Sequence, residues 1–191
     1  FIFFGCAQSS STSSKVQIQN DRNCVPEREL LASGIVGGTI VSEQDRDSKN
    51  AIMIYADGSI CTAIAIAPRV LLTAAHCLAA AEKTFAYLRA SLSCESGFDS
   101  RFDSIAVSKF IAHENYSADK NTEEYSVNDI ALVFLKENLP LNYPIFKIAD
   151  PSLVKAEPLY FWGFGQMRNA KGNAGLGMLR ETTVLTEAYT I

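Results

Sequence analysis

Across residues 51–135 the sequence is a series of short apolar stretches, each closed by a turn signal and too short for a helix of several turns. Ala51-Ile52-Met53-Ile54-Tyr55 opens the series, and Ile60 to Ala67 returns, with isoleucine at 60, 64 and 66. Between them stands Ala56-Asp57-Gly58-Ser59, and Asp-Gly between apolar runs is a hairpin signal. Pro68-Arg69 turns the chain into Val70-Leu71-Leu72-Thr73. Phe85-Ala86-Tyr87-Leu88, Ser104-Ile105-Ala106-Val107 and Ile130-Ala131-Leu132-Val133-Phe134-Leu135 continue the pattern, and Thr182-Thr183-Val184-Leu185 repeats it near the end. Helical signals are weak, a short turn over Cys77 to Lys83 excepted. Many short strands between turns predict an all-β chain, a sandwich or a barrel.

Composition narrows the function. At 48% hydrophobic and 20% charged residues, the chain has the ordinary balance of a globular protein with a core. Its net charge is −4 and its signs are mixed, with no basic patch, which argues against nucleic acid as a partner. No apolar run approaches the ~18 residues of a membrane-spanning helix. The 191 residues suit one β domain.

The first residues read differently. Phe1-Ile2-Phe3-Phe4-Gly5-Cys6 is apolar and ends on small residues, like the tail of a secretory signal. Ending on Gly-Cys, it resembles a bacterial lipobox, which implies lipid on Cys6 and a cut between Gly5 and Cys6. Ala7 beside it favours the outer membrane by the same resemblance. Ser9-Ser10-Ser11-Thr12-Ser13-Ser14 reads as a flexible tether, and residues 7–34 as tether and pro-segment. The expectation is an exported chain, lipid-anchored in the bacterial cell envelope or secreted, in a compartment where disulfides persist.

From Ile35 three segments carry the chemistry: Ile35-Val36-Gly37-Gly38-Thr39, Leu71-Leu72-Thr73-Ala74-Ala75-His76-Cys77 and Asn128-Asp129-Ile130-Ala131-Leu132. They resemble the new N-terminus, the histidine motif and the aspartate motif of the trypsin-like (chymotrypsin-family) serine proteases, in that family's chain order. Cys61-Thr62-Ala63, His113-Glu114-Asn115-Tyr116 and Phe161-Trp162-Gly163-Phe164-Gly165 are weaker echoes of the same family. The resemblance covers residues 35–191. It implies a two-barrel antiparallel fold: a complete six-stranded first barrel over 35 to about 140, a link at Leu139-Pro140-Leu141-Asn142-Tyr143-Pro144, and a truncated second barrel. It also implies a serine-type endopeptidase acting on proteins or peptides.

In that chemistry a neutral imidazole takes the proton of a serine hydroxyl as the hydroxyl attacks a peptide carbonyl, then protonates the leaving amine. His76 would be that base. Asp129 would hold its other N–H, fixing tautomer and orientation. Ala74 and Ala75 would let the histidine sit against the strand, and Ile130, Leu132 and Phe134 would face the core and hold Asp129. His113 has the place of a structural histidine. No cofactor is called for. A zinc site from Cys61, His76 and Cys77 lacks a Cys-x-x-Cys or His-x-x-x-His pairing, so no metal is expected either.

The resemblance implies a Cys61–Cys77 disulfide pinning the histidine loop. With Cys6 carrying lipid, that leaves Cys24 and Cys94, paired with each other or with cysteines outside this sequence. Two features depart from the family. Gly-Asp-Ser-Gly-Gly, which would bring the nucleophile, does not occur, so the chain is expected to be an inactive fragment of a longer enzyme. Ser33-Gly34 precedes Ile35 where a lysine or arginine is usual, so activation would need another specificity. The competing reading is a catalytically inactive trypsin-fold binding module.

Overall fold

The computed structural model describes residues 38–42, 44, 45, 51–57, 59–78, 81–89, 103–117, 127–150, 158–164 and 179–185. The strands are β1 (Thr39–Ile40), β2 (Ile52–Ala56), β3 (Ser59–Ala67), β4 (Val70–Thr73), β5 (Thr84–Tyr87), β6 (Ser104–Ala112), β7 (Ala131–Leu135), β8 (Pro158–Gly163) and β9 (Arg180–Leu185). The fold is all-β. Six strands close an antiparallel barrel in the order β2-β3-β4-β7-β6-β5, with β5 returning to β2. A separate open sheet has the order β1-β9-β8.

The Asp-Gly hairpin forms as expected: Ala56 pairs with Ser59, and Asp57 takes a positive φ of 46°. Such a φ suits the two-residue turns whose twist matches that of the strands. β6 extends five residues past the predicted run, through a register shift between Val107 and Lys109. That irregularity hides the two-residue alternation on which strand recognition depends. Residues 39 and 40, expected in the first barrel, instead pair with β9 in the open sheet.

The barrel interior is lined by Ile52, Ile54, Leu71, Leu78, Val133 and Leu135, and by many alanines, among them Ala63, Ala65, Ala74, Ala75, Ala86 and Ala131. Barrel diameter grows with strand number, so six strands enclose a narrow space that small side chains fit. This corrects one expectation. Ala131, Val133 and Leu135 face the core, while Ile130 is exposed and Leu132 and Phe134 are half-buried on the other face. Alternation permits only one of the two sets inward, and the narrow interior takes the slimmer one.

A second apolar cluster lies outside the barrel wall. Met53, Ile60 and Tyr87 pack there with Phe164, Leu179 and Val41, joining the barrel to the open sheet. The Phe164 backbone N–H donates to the Thr62 hydroxyl at 3.0 Å across this junction. Residues 136–150 run between the two units, held by hydrogen bonds from Leu139 N–H to Pro68 O and from Phe146 N–H to Ala65 O, each 2.8 Å.

Candidate active site

β4 and β7 are neighbours in the barrel, with Thr73 opposite Ala131. Because they run antiparallel, the end of β4 lies beside the start of β7. His76 follows β4 and Asp129 precedes β7, so the topology delivers both side chains to one barrel rim. At that rim Ala74 remains extended, at φ −79° and ψ 143°, and Ala75–Cys77 then form a single 3-10 turn. Ala74 and Ala75 are buried, and residues this small let the turn lie flat on the barrel end. Thr73 is wholly buried, and its hydroxyl donates to the Thr62 carbonyl at 2.8 Å, which satisfies it.

Asp129 grips His76 twice. Its Oδ1 accepts the His76 backbone N–H at 2.9 Å, and its Oδ2 lies 2.5 Å from His76 Nδ1. A carboxylate only accepts, so Nδ1 carries a proton, and in the neutral imidazole Nε2 then presents a lone pair. The side chains are 19% and 24% exposed, so both partners of the pair are partly buried and both keep some access to solvent. Cys61 and Cys77 form a disulfide with Cα atoms 6.1 Å apart, tying the histidine turn to β3. The Cys77 sulfur lies 3.6 Å from His76 Nε2. Asp57 accepts the N–H groups of Glu82 and Lys83, holding the segment after the turn against the β2–β3 hairpin.

The part played by Asn128 escaped the sequence reading, whereas His113 has the structural place expected of it. Asn128 takes a φ of 55°, a left-handed conformation that asparagine tolerates better than most residues. Its amide donates to Asn115 O at 3.1 Å, and its carbonyl accepts the Ile130 N–H at 2.8 Å. His113 N–H in turn donates to Ile130 O at 2.9 Å, and His113 Nδ1 accepts the Asn115 N–H, so His113 shapes the turn beside Asp129. An asparagine directly before an acidic motif was the one available signal. Cys6, Cys24, Ile35 and Cys94 lie outside the described residues.

The trypsin family profile matches residues 35–188. The chain belongs to the trypsin family. Among solved structures, this trypsin-family chain is similar to neuropsin, a serine protease expressed in the limbic system of mouse brain. The two share 21% identity with a TM-score of 0.56, over 76% of this chain and 62% of neuropsin. At that identity the likeness speaks for the fold, and the chain spans less than two thirds of neuropsin's length. No curated protein matches the chain.

Proposed function

We propose that the complete protein is a serine endopeptidase, with His76 as general base and acid and Asp129 as the group that orients it. The observation that carries this reading is the double grip of Asp129 on the backbone and ring of His76. Fixing Nδ1 as the protonated nitrogen leaves Nε2 free to take a serine proton, then to return it to the leaving amine. The serine and its oxyanion donors would come from a segment outside these 191 residues, on a second barrel of which the open sheet is the start. Proteins or peptides would be the substrates. Upstream, the reading is export with lipid on Cys6, and activation by a cut before Ile35 made by a protease that accepts Ser33-Gly34.

The test is fluorophosphonate labelling and peptide hydrolysis by the complete protein. The expected result is stoichiometric labelling at one serine, lost in a His76→Ala variant. A well-folded complete protein with neither labelling nor hydrolysis would leave a binding role in its place.

A further inference from the structure

Three metal-capable groups meet at the histidine turn. The ligand atoms of Cys61, His76 and Cys77 all lie within 4.8 Å of one another. While the two sulfurs are joined they are poor ligands, because thiolates rather than disulfide sulfurs bind metal. Reduction changes the donor set to two thiols and one imidazole.

We infer that reducing Cys61–Cys77 converts this edge of the active site into a tetrahedral site for a thiophilic divalent cation such as Zn²⁺. Its protein ligands would be the two sulfurs and His76 Nε2. Two independent features support it. Zinc–sulfur and zinc–nitrogen bonds of about 2.3 and 2.05 Å at a tetrahedral angle set the ligand atoms roughly 3.6 Å apart. Cys77 Sγ and His76 Nε2 already stand 3.6 Å apart. The second feature is the outer partner. A histidine that binds metal through one nitrogen ordinarily donates its other N–H to a carboxylate, which fixes the tautomer. Asp129 already does this at Nδ1, 2.5 Å away. Two cysteines, one histidine and an open fourth position for water form a recognised zinc donor set.

The chemistry balances with a trialkylphosphine as reductant. The disulfide, phosphine and one water give two thiols and a phosphine oxide, and the cation then displaces both thiol protons. Occupation engages the Nε2 lone pair. If His76 is the catalytic base, as proposed above, the reduced and metal-loaded enzyme is inactive. The disulfide therefore keeps the base out of a metal trap as well as pinning its loop.

The experiment uses the 191-residue chain with Cys6, Cys24 and Cys94 replaced by serine, reduced with a trialkylphosphine and titrated with Co²⁺ as a spectroscopic probe. One equivalent should give a thiolate charge-transfer band and the intense visible bands of tetrahedral cobalt, and the unreduced chain should give neither. Asp129→Asn should weaken binding by about 10- to 100-fold. His76→Ala should weaken it at least as much and shift the visible bands. Absence of tetrahedral bands, or an unchanged spectrum and affinity in His76→Ala, overturns the inference. So does loss of the β-sheet circular dichroism on reduction, because the site requires the folded turn. In the complete protein, Zn²⁺ should abolish hydrolysis only after reduction, reversibly with a chelator. Cobalt uptake by a complete protein that hydrolyses nothing in either redox state would sink the peptidase reading and leave the metal site standing.

Discussion

Replacing Asp129 with asparagine in the complete protein changes one atom and should reverse the polarity of the candidate base. An amide has one accepting oxygen and one donating nitrogen, whereas the carboxylate accepts at both positions. The His76 backbone N–H at 2.9 Å from Oδ1 can only donate, so it selects the amide oxygen for that side. The opposite orientation sets donor against donor, and for this partly buried pair it costs at most the ~1–3 kcal/mol of an unsatisfied buried group, a population ratio of up to roughly 5 to 150. In the favoured orientation the amide nitrogen faces His76 Nδ1, which must then accept, and the ring proton moves to Nε2. That nitrogen can no longer take a proton from serine. The expected loss in kcat is on the order of 10⁴, or about 5.4 kcal/mol in barrier. Nitrogen NMR of the histidine ring should show Nε2 protonated in the variant and Nδ1 protonated in the parent, with the β-sheet circular dichroism unchanged. A variant that keeps Nδ1 protonated, or hydrolyses peptides within tenfold of the parent, refutes the reasoning.

Asn128→Val places a β-branched residue at a φ of 55° and should cost roughly 1–2 kcal/mol in denaturant unfolding, whereas Asn128→Gly should fall well short of that. Leu71→Ala, at a wholly buried barrel position, should lose ~2–5 kcal/mol. Leu141→Ala, at a fully exposed one, should stay within about 0.5 kcal/mol by the same measurement. Burial, with a smaller contribution from Tyr55, raises the Tyr87 phenol from 10.0 to about 12. Because the folded value lies above the unfolded one, this stabilisation is complete below pH 10.0 and fades as the pH rises to about 12. Tyr87→Phe should therefore flatten the alkaline fall in stability, and an unchanged alkaline profile would contradict it.

The parts of the site legible in the sequence are those whose neighbours along the chain constrain them. Thr73-Ala74-Ala75-His76-Cys77 and Asn128-Asp129 each sit where a strand meets a turn, and their motifs carried the pairing that the rim geometry shows. Asp57 was readable for the same reason, since a hairpin turn is a local event. The facing of β7 was not. Ile130, Leu132 and Phe134 are the larger side chains, and size alone suggested the core. The choice was made by the width of a six-stranded barrel, which no single strand encodes. Thr62 and Asn115 were equally silent. Their partners are Phe164, 102 residues away, and Asn128, 13 residues away, so each has a role only after the chain has folded back.

The shared rim of β4 and β7 has a mechanical consequence. His76 and Asp129 are held at the ends of adjacent strands of one closed cylinder, and the disulfide and the Asp57 contacts brace that same cylinder. The contact of the open sheet with the barrel at Thr62 and Phe164 lies on β3 rather than on the pair itself, so the His76–Asp129 geometry is set within the barrel. The barrel therefore acts as a fixed mount for the His76 imidazole, whose orientation does not depend on how the rest of the chain is completed.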